Sequence, residues 1–341
     1  MAPKIFLTGA TGYIGGSVLH ALVTAHPEYD ITVMLRKTPE AFTSTYPNVN
    51  IVQGDYDSAE ILAEQARRAD VVTTATQTTP PPHRPPHRPH LNLLPNPTHL
   101  LHLSGTGILS DWSSPSRLGV LNPKIYSDLT DLQTMASLPD DALHRNTEKI
   151  LFHAAAEHGE KVKIAIMCPP DIYGRGLGLG NTQSVFVRLY IDDVQKAGNR
   201  PFYYNEGTNT RSWVHIEDLA RLYVRVVEAA VGKDKGFAGP GEYPGYYFAA
   251  TQEHNHIDVS RAIGNILKKE GVIEDPEPVR VGLEVIDQMA KHPLFPMLAR
   301  YLYASNSRSR AERAEKMFGY KAAAPGLLEG LETDVLAALG R

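Results

Sequence analysis

The sequence predicts a doubly wound α/β fold, a parallel sheet with helices on both faces, joined to a smaller and mostly C-terminal domain. Three observations predict it. Short apolar or β-branched runs alternate with helical patterns along the chain. The first run leads straight into a glycine-rich turn, Thr8-Gly9-Ala10-Thr11-Gly12-Tyr13-Ile14-Gly15-Gly16, that opens a helix. The 341 residues, 42% apolar and 21% charged, suffice for one large domain or two modest ones around a substantial core.

The runs read as strands are 4–8, 31–35, 50–53, 70–75, 100–103 and 163–167. The first helix should start inside the glycine turn, set Ile14, Val18 and Leu22 beside Leu19 and Val23, and stop near His26-Pro27, where proline blocks continuation. A later amphipathic helix carries Leu219, Leu222, Tyr223, Val226, Val227 and Ala230 and ends at Gly232.

Charge and composition narrow the partners to small molecules. The net charge is −4 and the basic residues form no stripe, so neither nucleic acid nor an anionic membrane is expected. No apolar segment approaches the roughly 20 residues of a membrane helix, and the N-terminus enters the first strand without room for a signal peptide. The single cysteine, Cys168, cannot close an internal disulfide and agrees with a reducing compartment. A cytoplasmic location is expected.

The glycine turn is built for a dinucleotide. Gly9, Gly12 and Gly15 stand at strand end, turn and helix start, where missing side chains let the backbone approach phosphate; Thr11, Tyr13 and Ile14 complete the turn and supply N–H groups. About 20 residues on, where a carboxylate would accept the ribose hydroxyls of NAD, the chain has Arg36 and Lys37. NADP is therefore favoured over NAD, although basic residues also serve simply to solvate a strand end. Asp55, after the third strand, either approaches the adenine or is a turn aspartate. Ala75, at the end of the fourth, borders the same site.

These residues carry a resemblance. The TGATGYIGG turn, Asp55, Leu103-Ser104-Gly105-Thr106, Cys168-Pro169-Pro170-Asp171-Ile172-Tyr173-Gly174, Arg211 to Ala220, and Ala304-Ser305-Asn306 through Lys321 resemble extended short-chain dehydrogenase/reductases of the NAD-dependent epimerase/dehydratase type. The resemblance covers nearly the whole chain. It implies a Rossmann domain over 1–174, rejoined by 213–252, and a substrate domain from 175–212 and 253–341. It also implies cofactor contacts at Pro169 and Tyr173. In sugar-nucleotide members the residue matching Arg211 binds the substrate diphosphate, whereas a salt bridge to Glu217 or Asp218 accounts for it equally well.

That family uses a Tyr-x-x-x-Lys pair, and none of the sixteen tyrosines here has a lysine four positions on. His144 and Glu148 take the two positions, or Arg145 and Lys149 in a register one residue later. Spacing of four places His144 and Glu148 on one helix face, where a carboxylate would raise the basicity of the imidazole; a mixed-charge helix surface is the plain alternative. Lys149 reaches the ribose if the register is shifted. Ser104 and Thr106 flank the family's hydroxyl position, taken here by Gly105. Tyr126 lies in an inserted stretch, 111–139, able to fold over the nicotinamide and restore a phenol; it also suits an ordinary surface position. Cys168, following Ile164-Ala165-Ile166-Met167, reads as buried and unreactive.

Two segments stand apart. Residues 79–97, TPPPHRPPHRPHLNLLPNP, carry prolines that forbid the helix expected there. His83, His87 and His90 lack nearby carboxylate or thiolate ligands, so no metal site is expected. Family dimers commonly pack through this region, so a monomer or weak homodimer is expected. The glycine-rich loop 174–181 either closes over a ligand or links the domains. Three functions remain open: an NADP-dependent oxidoreductase on a small carbonyl or alcohol with a non-standard proton donor, which is preferred; a non-redox isomerase, epimerase or cyclase; or a nucleotide sensor resembling NmrA-like regulators.

Overall fold

The computed structural model describes residues 1–75, 98–234, 236–293 and 295–341, so the proline-rich segment with its three histidines lies outside the described residues. In chain order the first part contains β1 Lys4–Thr8, α1 Tyr13–Ala25, β2 Asp30–Leu35, α2 Phe42–Thr45, β3 Asn50–Gln53, α3 Ala59–Arg68, β4 Val71–Thr74, β5 Thr98–Leu103, β6 Tyr126–Ser127, α4 Leu132–Ala136, α5 Arg145–His158 and β7 Val162–Cys168. It continues with β8 Asp171–Tyr173, α6 Val185–Val194, β9 Phe202–Tyr204, β10 Thr210–His215, α7 Ile216–Val231, β11 Gly245–Phe248, β12 Gln252–Asn255 and α8 His256–Lys269. The last part holds β13 Val279–Val281, α9 Leu283–Ile286, α10 Leu298–Tyr303, β14 Ser309–Arg310, α11 Glu312–Phe318 and α12 Leu327–Ala338.

Period-two alternation sorts the strand side chains onto two faces. Ile5, Leu7, Val33, Leu101 and Met167 face one way, packing with Val18 and Leu22 of α1 and Leu219 and Val226 of α7. Phe6, Met34, Leu100, Ile164 and Ile166 face the other, against Met135 of α4 and Leu151 and Ala154 of α5. Full burial of each such side chain contributes about 1.5–3 kcal/mol. The result is a Rossmann sheet of seven parallel strands in the order β11-β7-β5-β4-β1-β2-β3. The order reverses between β1 and β4, where the carboxyl ends of the strands open the crevice used for ligands in such sheets.

A second core, with Phe186, Tyr190, Val259, Ile263, Leu302, Leu331 and Val335, joins α6, α8, α10 and α12. Small sheets stitch it on: β10 lies between β8, parallel, and β12, antiparallel; β13 pairs with β9 and β14 with β6. One helix departs from its expected start. The helix expected to carry both His144 and Glu148 starts only at Arg145, because His144 takes a left-handed conformation, φ 64°, as its N-terminal cap.

Candidate functional site

The glycine turn has the geometry its sequence requires. Gly9 has φ +81°, a conformation that favours glycine. A Cβ on Gly15 would stand 2.2 Å from the Gly9 carbonyl oxygen and 3.1 Å from the Ala75 Cβ, so turn, helix and β4 close on one another only without that side chain. α1 then begins at Tyr13 with no side-chain cap and no acidic residue in its first turn. Its first N–H groups and positive dipole end are left for an anion. Thr8 pairs with Met34 in the parallel register of β1 and β2, which brings the exposed Arg36 and Lys37 beside the turn.

Asp55 forms the turn into α3. Its carboxylate accepts the Asp57 N–H at 2.9 Å and the Ser58 hydroxyl at 3.0 Å; these bonds, with Arg36 nearby, lower its pKa. The loop 174–181 lies on the glycine turn as a strap. Tyr13 donates its phenol to the Gly174 carbonyl (2.6 Å), Leu177 its N–H to the Ser17 hydroxyl (3.0 Å) and Asn181 its N–H to the Thr11 carbonyl (3.1 Å). Gly178 sits against Gly16 and Gly180 against Thr11, backbone on backbone.

The expected pairing of His144 with Glu148 does not form. With His144 outside the helical turn, Glu148 points into the core, where Ser104 and the Tyr246 phenol (2.8 Å) both donate to its Oε1. Its Oε2 is buried without a partner among the described residues. Burial pushes the Glu148 carboxyl up to about 7 despite those donors, and burial takes the His144 imidazole down to about 4. His102, bonded through Nδ1 to Thr74 at 2.9 Å, is lowered to about 4 by burial and by His144. Nothing in the sequence marked Tyr246, which lies almost a hundred residues from Glu148.

Lys149 points away from the cleft: one residue past the inward-facing Glu148, it is exposed and holds Asp140 at 2.7 Å. Thr106 is buried at the start of the turn Thr106–Leu109, its N–H donated to the Pro169 carbonyl (2.9 Å) and its carbonyl accepting the Ser307 hydroxyl (2.6 Å). Tyr173 is fully buried, donating to the Pro325 carbonyl at 2.6 Å and accepting from Gln252 at 2.6 Å. Its phenol is a strut to the start of α12 and leaves only backbone for a cofactor. Cys168 is buried, and burial pushes its thiol well up, away from nucleophilic use.

Arg211 also differs from the expected arrangement. It is 3% exposed and pairs with Asp171, not with Glu217 or Asp218. Nε and Nη2 donate to Asp171, the latter at 3.1 Å, while Nη1 donates to the Tyr301 carbonyl (2.8 Å) and Ser305 hydroxyl (3.0 Å). Four of the five guanidinium N–H donors are committed and the side chain is 3% exposed, so the group is held by the fold and is not presented to a substrate phosphate.

Directly after β5, the inserted stretch 111–139 and the segment before β14 line a partly open pocket of about 210 Å³. Its wall includes Ile108, Asp111, Trp112, Lys124, Tyr126, Asp141 and Arg308. The Lys124 ammonium lies 4.7 Å from the centre of the Tyr126 ring and is held by Asp131 at 3.1 Å. Burial raises the Tyr126 pKa, and Lys124 acts against it. The two-residue spacing of Lys124 and Tyr126, which puts both on one side of an extended segment, was the available sequence signal for this pair. Among the described residues no group of three or more His, Cys, Asp or Glu is placed to hold a metal, and no helix is long and apolar enough to cross a membrane.

Comparison with known proteins bears on the fold. Residues 1–81 match the NmrA-like family and residues 142–237 the NAD dependent epimerase/dehydratase family. The oxidase ucsJ of Acremonium sp is 29% identical over 98% of this chain and 97% of its own. The dTDP-glucose 4,6-dehydratase of Mycobacterium tuberculosis is 23% identical over 82% of each. Among solved structures, MoeE5 in complex with UDP-glucose and NAD superposes with a TM-score of 0.60 at 15% identity, over 97% of both chains. By its glycine turn, sheet order and these matches, the chain is similar to the extended short-chain dehydrogenase/reductases of the NAD-dependent epimerase/dehydratase type, and its sequence lacks their Tyr-x-x-x-Lys pair.

Proposed function

We propose that the protein is an NADP-dependent oxidoreductase that interconverts an alcohol and a carbonyl on a small molecule, with Tyr126 handling the proton. The observation that carries this reading is the pocket that follows β5, where a phenol and an ammonium stand together; β5 and β1, which leads into the glycine turn, run parallel in one sheet. The residues fit a dinucleotide: the backbone of Gly9, Gly12 and Gly15 and the bare end of α1 would hold the pyrophosphate, and Arg36 and Lys37 the additional phosphate of NADP. When bound, the nicotinamide supplies or accepts the hydride. Tyr126 then donates its proton to the new alkoxide in reduction or takes it in oxidation, and Lys124 over the ring favours the phenolate. The ucsJ relative, named an oxidase, supports redox chemistry, and the NAD in the MoeE5 structure supports the cofactor class.

A second reading, a nucleotide sensor without turnover, is favoured by the NmrA-like match over residues 1–81 together with the missing helix pair. A fluorescence titration with NADPH and, in parallel, NADH tests the cofactor reading. Tighter binding of NADPH supports it; failure to bind either nucleotide overturns both readings. Turnover of any alcohol or ketone by the loaded protein then separates enzyme from sensor.

A further inference from the structure

We propose that the pocket beyond β5 takes a single-ring, unphosphorylated alcohol or carbonyl compound and excludes nucleotide sugars. This rests on the oxidoreductase reading and names the substrate class of the same site.

Size is the first argument. The pocket is a partly open cleft of about 210 Å³, and an apolar cavity of about 150 Å³ is known to accept benzene. One substituted ring fills this space, whereas a base, a ribose, a diphosphate and a sugar do not fit within it.

Charge is the second. Binding a diphosphate takes uncommitted guanidinium or ammonium groups or converging N–H donors. Lys124 is held by Asp131 at 3.1 Å. Arg308 is engaged by Glu253 at 3.2 and 2.8 Å and by the Asn122 carbonyl at 3.2 Å. Arg211 is outside the wall, 3% exposed, and spends four of its five N–H donors on Asp171, Tyr301 and Ser305. Asp111 and Asp141 add two carboxylates to the wall, and these repel an anion.

The wall itself is the third. The indole of Trp112, braced edge-on by Phe295 with ring centres 5.2 Å apart, stands in the same wall as the aliphatic Ile108, Leu109 and Leu138. Flat apolar surfaces of this kind suit a ring; the Tyr126 phenol suits a carbonyl or hydroxyl substituent and the Asp141 carboxylate a hydroxyl, while the Asp111 carboxylate is taken by Asn122 and Asn306.

The chain has two tryptophans, Trp112 in this wall and Trp213 fully buried in the second core, so fluorotryptophan labelling gives two fluorine NMR resonances. Trp112→Phe assigns them. The intact protein is titrated, with and without NADP, using 4-hydroxyacetophenone as the single-ring probe and UDP-glucose as the nucleotide sugar. The expected result is a saturable shift of the Trp112 resonance by the ketone, with Trp213 unmoved, and no saturable shift by UDP-glucose. Either a Trp112 resonance unmoved by the ketone through the millimolar range or a saturable response to UDP-glucose overturns the proposal. A protein that binds the ketone but neither NADPH nor NADH leaves the ring site standing and removes the oxidoreductase reading.

Discussion

The Glu148 carboxyl is bound by the Ser104 hydroxyl, not by His144 four residues earlier in the chain. A buried carboxyl held at about 7 is mostly protonated in the fold below that pH and ionised in the unfolded chain above about 4.5. The folded state therefore binds the extra proton, and this contribution is fully present below the unfolded value and lost as pH rises to about 7. Asp128, whose carboxylate accepts the Phe248 and Arg313 N–H groups at 2.8 Å each, is also pushed up to about 7 by burial and acts in the same direction. Glu148→Gln, which mimics the protonated acid, should raise stability at pH 8 by on the order of 2–3 kcal/mol and leave it nearly unchanged at pH 4. Thermal denaturation across that range measures it; equal effects at both ends would show that folding does not raise the Glu148 pKa.

Arg36 is the residue on which the choice between the two nicotinamide nucleotides turns. It is exposed and lies close enough to Asp55 to lower that carboxyl. A charge-assisted bond to phosphate contributes about 1.5–3 kcal/mol, or roughly ten- to a hundredfold in affinity. Arg36→Gln should weaken NADPH by that factor and leave NADH unchanged in the same fluorescence titration. Parallel loss of both would place Arg36 outside the 2′-phosphate site.

The strap on the glycine turn depends on a missing side chain. A Cβ on Gly180 would lie 2.0 Å from the Thr11 carbonyl oxygen, and backbone rather than a flexible tip is what must yield. Gly180→Ala should lower stability by about 1–3 kcal/mol and weaken both nucleotides alike, since the displaced strap pulls at Thr11 and Tyr13. Melting temperature and the two titrations read these separately. Unchanged nucleotide binding would make the strap a linker only.

Much of the Rossmann lobe was legible because its signals are local. Short apolar and β-branched runs put Lys4–Thr8 and Asn50–Gln53 at the boundaries read from sequence, and Gly9, Gly12 and Gly15 define a turn within seven residues. The site was less legible because its contacts are distant. The left-handed His144 moves the start of α5 by several residues and dissolves an i to i+4 pairing that spacing alone suggests. Asp171 reaches Arg211 across 40 residues through the parallel pairing of β8 and β10, while the nearby Glu217 and Asp218 belong to the next helix. No local periodicity encodes either relation.

Asp171→Asn follows from that distant pair. Removing one charge leaves the Arg211 guanidinium buried against the Tyr301 ring, 4.5 Å from its centre, without a counter-charge. Breaking a buried pair in this way costs about 3–5 kcal/mol. A large fall in melting temperature is expected, with the Michaelis constant for a small ketone unchanged in whatever protein stays folded. A selective rise in that constant would return Arg211 to the substrate.

Tyr126 and His144 make opposing predictions for the proton. With its pKa at about 4, the His144 imidazole is neutral at pH 7 in all but about one molecule in a thousand, which makes it a poor proton donor. Tyr126 keeps its proton at that pH, lines the pocket, and has Lys124 over its ring to stabilise the phenolate once the proton leaves. Tyr126→Phe should lower kcat by about 10²–10⁴-fold with nucleotide affinity unchanged, and His144→Asn should change kcat by less than about tenfold. Lys124→Met should move the alkaline limb of the kcat/KM profile to higher pH, because the ammonium that favours the phenolate is gone. Single-turnover reduction by bound NADPH measures the first two without interference from product release. Full activity in Tyr126→Phe with loss in His144→Asn would reverse the assignment and return the proton to the cap of α5.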